Sequence, residues 1–208
     1  MSMKKLFFLF AFLVGLGISS SVYALLVKGV TLTSSNTLAS ELGTDVGKVT
    51  TLKVNGPLGA EDFQTMKEQM NMLQVLDMSG VTELPKVGRW NESVWEELQS
   101  IPGEAFQNKL TLQTVIFPKA LEMIEQEAFS GCNTLTEIDF SKATQLRSIG
   151  HRAFYECSGL RDLDLSACTS LVGIGSNAFY RCSNLQAVNF SGCGKLTSIG
   201  SYAFQYCS

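Results

Sequence analysis

The stretch IGHRAFYEC (residues 149–157) decides how this chain is read, because it returns as IGSNAFYRC (174–182) and again as IGSYAFQYC (199–207). A fourth version, IEQEAFSGC (124–132), precedes them, so successive copies begin 25 residues apart. Self-similarity at a fixed interval means one structural unit stacked on copies of itself.

A second pattern runs between the copies. LTEIDFSKA (135–143), LRDLDLSAC (160–168) and LQAVNFSGC (185–193) share the form L-x-x-L-x-L-x-x-C, with Ala143 in the last place of the first. The middle residues alternate apolar and polar with period two, as a half-buried strand must. The ninth position wants a small residue for the tight turn beneath. Leu146 with Ile149, and Leu171 with Ile174, then bring the chain back inward. The pairs Ala153-Phe154, Ala178-Phe179 and Ala203-Phe204 fill the far side. No single copy can bury these side chains, but copies stacked at about 4.8 Å give one continuous core. This is the leucine-rich repeat signature. The expected fold is an α/β solenoid with a parallel β ladder on its concave face and short helical or irregular segments on its convex side.

The ladder continues upstream with wear. IPGEAFQNKLTLQTVIFP (101–118) keeps the apolar pattern but carries Lys109 in the first cysteine place. Further back, LQVLDMSGV (73–81) and VTTLKVNGP (49–57) read as two more strands. Between them AEDFQTMKEQMNML (60–73) sets Phe63, Met66, Met70 and Leu73 at helical spacing, with Glu61 and Asp62 near the helix start. SNTLASELG (35–43) reads as a short helix capped by Asn36 or Thr37, a lid for the solenoid's end. The stretch PKVGRWNESVWEEL (85–98) reads as an insertion. Its Trp90 and Trp95 are either aromatic anchors on a protruding loop or a cover for the core side of a short helix over 92–98.

The first residues read as an export signal: Lys4 and Lys5, an apolar run over 6–18, then small residues with Val22 and Ala24 before the cut. The expected organisation is a signal peptide (1–24), an N-terminal cap (25–48) and the repeat domain (49–208), regular over 101–208. After signal cleavage no membrane span is expected. The chain stops at Ser208, inside a repeat, which reads as a fragment of a longer protein. Net charge is -3, so no basic field draws nucleic acid.

The segments AFSGCNTL, AFYECSGL and AFYRCSNL (128–135, 153–160, 178–185) resemble the BspA-like class of leucine-rich repeats. The resemblance implies a surface or secreted protein of a bacterium or protist, concerned with attachment to host, extracellular-matrix or other cell-surface proteins. It carries no catalytic residues, so no enzyme activity, cofactor or metal is expected. The alternative is a spacer or scaffold bearing a further anchoring or catalytic module.

Six cysteines form two columns, Cys132, Cys157, Cys182 and Cys207, and Cys168 and Cys193. Inward placement favours free buried thiols, although neighbouring rungs bring such residues within disulfide reach. The outward strand positions are the candidate binding face for a protein or glycan: Asp77, Ile116, Glu137, Asp139, Asp162, Asp164 and Asn189. Four carboxylates gather on two adjacent rungs, where like charges repel. A solvated face, a basic partner and a calcium ion are the three readings of that patch. His151 falls at a variable polar position and reads as exposed.

Overall fold

The computed structural model describes residues 25–91 and 94–207, except the side chains of 89–91, 94 and 95. The expected signal segment, 1–24, lies outside the described residues.

The cap holds a strand, β1 (Leu26–Thr31), a helix, α1 (Leu38–Leu42), and a 3-10 turn over Gly43–Lys48. Strand β2 (Val49–Pro57), helix α2 (Ala60–Glu68) and strand β3 (Val75–Glu83) follow. Two side chains fasten the cap. The buried Asp62 carboxylate accepts the backbone N–H groups of Asn36 (2.6 Å), Leu38 (2.9 Å) and Gly59 (2.8 Å). Asn36 Oδ1 in turn accepts the Glu61 N–H at 3.0 Å. Each helix thus has orphan N–H groups satisfied by a side chain from the other's start. Thr37 is the N-cap residue of α1, but its side chain makes no capping bond.

The insertion is not the helix expected over 92–98. Strands β4 (Lys86–Asn91) and β5 (Val94–Ile101) run antiparallel, with Trp90 opposite Trp95 in register. Val87, Trp90, Val94, Trp95 and Ile101 are strand formers. The end of β5 also pairs in parallel with the next rung through Ile101 and Ile124, so the insertion joins the stack as a strand. Glu96 on β5 holds Arg147 at 2.8 Å.

The repeats supply β6 (Thr114–Ile116), β7 (Met123–Ile124), β8 (Glu137–Asp139), β9 (Ser148–Ile149), β10 (Asp162–Asp164), β11 (Gly173–Ile174), β12 (Ala187–Asn189) and β13 (Ser198–Ile199). Strands β1-β2-β3-β6-β8 form one parallel sheet, and β10-β12 resume it after a break. The return segments make a second ladder, β5-β7-β9-β11-β13, stacking Ile101, Ile124, Ile149, Ile174 and Ile199 in register. Close approach of rungs explains the glycine after the isoleucine: a Cβ on Gly175 would lie 2.7 Å from the Gly150 carbonyl carbon.

The convex segments form a third ladder without strands. N–H groups of Phe106, Phe129, Phe154 and Phe179 bond the carbonyls of Ala128, Ala153, Ala178 and Ala203, each at 2.8 Å. Two left-handed residues per rung aim these groups along the stack, for example Arg152 (φ 51) and Glu156 (φ 57). Inside, Phe106, Phe129, Phe154, Phe179 and Phe204 stack ring on ring at 5.1 to 5.2 Å and within 13° of parallel. Phe63 of α2 meets Phe106 edge-on at 6.0 Å, tying α2 to the first of the regular repeats.

Candidate functional site

The strand face carries the candidate residues on β3, β6, β8, β10 and β12. The structure separates them into two groups. Asp77 and Ile116 are buried, at 6% and 7% exposure, so they belong to the interior of this face and not to its contact surface. Asp77 is covered because Lys53, opposite it on β2, closes a 2.6 Å ion pair over it. Ile116 sits in register between Asp77 and Asp139, and its neighbours along the ladder shield it. Glu137, Asp162, Asp164 and Asn189 are exposed and Asp139 is half-buried.

One column has a structural duty that the sequence reading did not assign. Each of its Asp or Asn side chains accepts the N–H of a serine two residues on: Asp77 from Ser79 (2.8 Å), Asp139 from Ser141 (2.7 Å), Asp164 from Ser166 (2.9 Å) and Asn189 from Ser191 (3.0 Å). These are Asx turns that end the strands. The recurrent D-x-S and N-F-S spelling was the available signal. Asn189 Nδ2 also donates to Asp164 Oδ1 at 3.1 Å. Hydrogen bonds from Ser166, side chain first and then backbone, hold the Asp164 carboxyl below its ordinary range against a small opposing effect of burial. For Asp77, burial pushes the carboxyl up, but the bonds from Lys53 and Ser79 outweigh it and leave it depressed.

Glu137 and Asp139 on β8, and Asp162 and Asp164 on β10, occupy equivalent places on adjacent rungs. No ion pair reaches any of the four among the described residues, so Lys142 and Arg161 do not neutralise them. The sheet's one break falls between these two strands, where like charges on neighbouring strands disfavour pairing. The described residues hold no group of three or more His, Cys, Asp or Glu arranged for a metal ion. The four acids form a two-by-two block, two on β8 and two on β10.

The side chains of Trp90 and Trp95 lie outside the described residues. His151 is exposed. The six cysteines are free thiols, five of them buried. Cys132, Cys157, Cys182 and Cys207 donate to the carbonyls of Phe106, Phe129, Phe154 and Phe179 on the preceding rung at 3.0 to 3.3 Å. Burial pushes Cys132, Cys168 and Cys182 up to about 12, which makes them poor nucleophiles.

Residues 97–208, just over half the chain, match the BspA type leucine rich repeat region in six copies. A leucine-rich repeat protein from Bacteroides ovatus is 19% identical, aligned over 77% of this chain and 47% of its own, with a TM-score of 0.40. A leucine rich repeat protein of T. pallidum is 26% identical over 61% of this chain and 68% of its own, TM-score 0.35. A leucine rich cell surface protein from Faecalibacterium prausnitzii is 21% identical over 58% and 43%, TM-score 0.34. The chain thus spans about half the length of the first of these, 47%. No curated protein matches it.

Proposed function

Because this chain belongs to the BspA type leucine rich repeat family, we propose that it is a non-catalytic binding protein whose strand face holds a basic surface of another protein. The observation that carries this reading is the block of Glu137, Asp139, Asp162 and Asp164 on two adjacent rungs, three of them exposed and Asp139 half-buried, without cationic partners among the described residues. An unneutralised block of one sign steers partners of the other sign and fixes their register. The solenoid sheet offers it on two adjacent rungs, β8 and β10, where one partner segment can meet both at ladder spacing.

The setting we propose is export, with the protein on the cell surface or released, and attachment to host, extracellular-matrix or other cell-surface proteins. Lys4, Lys5 and the apolar run over 6–18 support export. The test is capture on immobilised extracellular-matrix proteins by wild type and by the E137Q/D139N/D162N/D164N variant. Asparagine keeps the Asx turns, as Asn189 does, so the fold is retained while the charge goes. Binding should be lost in the variant and should weaken with salt in the wild type. Equal capture of both proteins would remove the acidic block as the site.

A further inference from the structure

A cleft of about 270 Å³ opens on the convex side, where the end of α2 meets the first repeat. Its polar lining is Lys67, Asn71, Gln107, Asn108, Lys109 and Thr111, and the rest is apolar. Two ammonium groups therefore line it and no carboxylate does, in a chain whose net charge is -3. Lys109 is only 8% exposed. Its Nζ donates to the Lys67 carbonyl at 3.3 Å, long for a charge-assisted bond, which runs about 2.7–2.9 Å. Among the described residues no carboxylate pairs with Lys109. Lys67 reaches Glu104 only at 4.0 Å, with both side chains exposed.

A buried cation without an anion is costly. The carbonyl end of α2 offsets part of that cost, and burial pushes the Lys109 ammonium toward its neutral form. The later rungs avoid the problem, because their equivalents are the neutral thiols Cys132, Cys157, Cys182 and Cys207. An ammonium has three donors, so Lys109 retains donors beyond its bond to Lys67.

We propose that this cleft binds a small oxyanion, a carboxylate or a phosphate, with Lys109 meeting its charge from the floor and Lys67 from the rim. Gln107 Nε2 already donates to Glu127 Oε2 at 2.7 Å, so the amide and hydroxyl donors around the two lysines come from Asn71, Asn108 and Thr111. The volume admits a small organic acid or phosphate group and is below the range of about 300–1,000 Å³ typical for larger ligands. The site lies away from the acidic strand face and is independent of it.

The test is titration calorimetry of the full chain with inorganic phosphate and, separately, with acetate, each against sodium chloride at matched ionic strength. Saturable binding is expected, with amide NMR shifts confined to Asn71 and residues 105–111. Lys109→Met should weaken it by about 10- to 100-fold, the range for one hydrogen bond to a charged group. Lys67→Ala tests the same site at an exposed position, where folding is not at risk, and should weaken it severalfold. Binding of phosphate alone would identify a phosphoryl ligand, and binding of both anions a carboxylate-tolerant site. No saturable heat with either anion, or unchanged affinity in Lys67→Ala, would overturn the proposal.

Discussion

Replacing Phe154 by alanine tests whether the rungs are held together by their shared ring column. Phe154 has no exposed surface. It stacks on Phe129 at 5.1 Å and 4°, and on Phe179 at 5.1 Å and 7°. Truncating a buried phenylalanine costs about 3–5 kcal/mol, and each ring pair contributes about 0.5–1.5 kcal/mol beyond area. Phe154→Ala should therefore sit at the upper part of that range. Phe154→Leu keeps most of the apolar volume and loses both stacks, for a cost of about 1–3 kcal/mol. The internal control is Phe204→Ala. Phe204 is half-buried, with one parallel partner, Phe179, at 5.2 Å, and an edge contact to Phe190 at 6.1 Å. That change should cost no more than about 2 kcal/mol. Urea unfolding followed by circular dichroism and by fluorescence reads all three, with coincident transitions as the check on two-state behaviour. Equal losses for Phe154→Ala and Phe204→Ala would refute the ladder as the main source of cohesion.

Three further outcomes follow from the same packing. Asp62→Ala removes an acceptor shared by three backbone N–H groups; it should cost about 3 kcal/mol or more and speed amide exchange at Leu38 before the repeats, whereas uniform exchange across the chain would show the cap is not a separate unit. Asp77 has a depressed folded pKa, so its stabilisation is full above the unfolded value of about 3.9 and is lost as pH falls through the lower folded value. Asp77→Asn should flatten the acid limb of a pH–stability curve, and an unchanged limb would rule out that pair. A thiol reagent without reductant should count six groups in denaturant, while in the native state it should reach the half-buried Cys207 first; two or fewer groups in denaturant would mean the columns are oxidised.

The repeats were legible because each apolar column recurs at the same offset, so periodicity spelled out both the strand face and the phenylalanine interior. The helix over Ala60–Glu68 was legible for the same reason at a different period. Strand β1 was not: Lys28 and Gly29 interrupt its alternation, and only its parallel pairing with β2 decides its state. The hairpin was missed because Trp and Val at positions 90, 94 and 95 suit a helix cover or a strand, and tertiary pairing chose between them. On the strand face, the pleat alternation gave Glu137, Asp162, Asp164 and Asn189 as outward, and these four are exposed; it gave Asp77 and Ile116 as outward too, and these are buried. Burial of Asp77 and Ile116 depends on what stands on adjacent rungs, which one strand's alternation does not encode. Among the left-handed pairs only the one begun by Glu127 carries a glycine, Gly131 (φ 74); elsewhere Glu104, Asn108, Arg152 and Glu156 hold such angles because the bonds between rungs outweigh the local strain.

In the regular part of the stack, the surface one rung offers to its successor is the surface its predecessor offered to it, with Phe154 on Phe179 repeating Phe129 on Phe154. An in-frame duplication or deletion of one 25-residue copy in that region would restore the same junction on both sides. Length in such a protein can drift by whole units under recombination with little penalty to the fold, so selection is free to set how far its binding surface reaches.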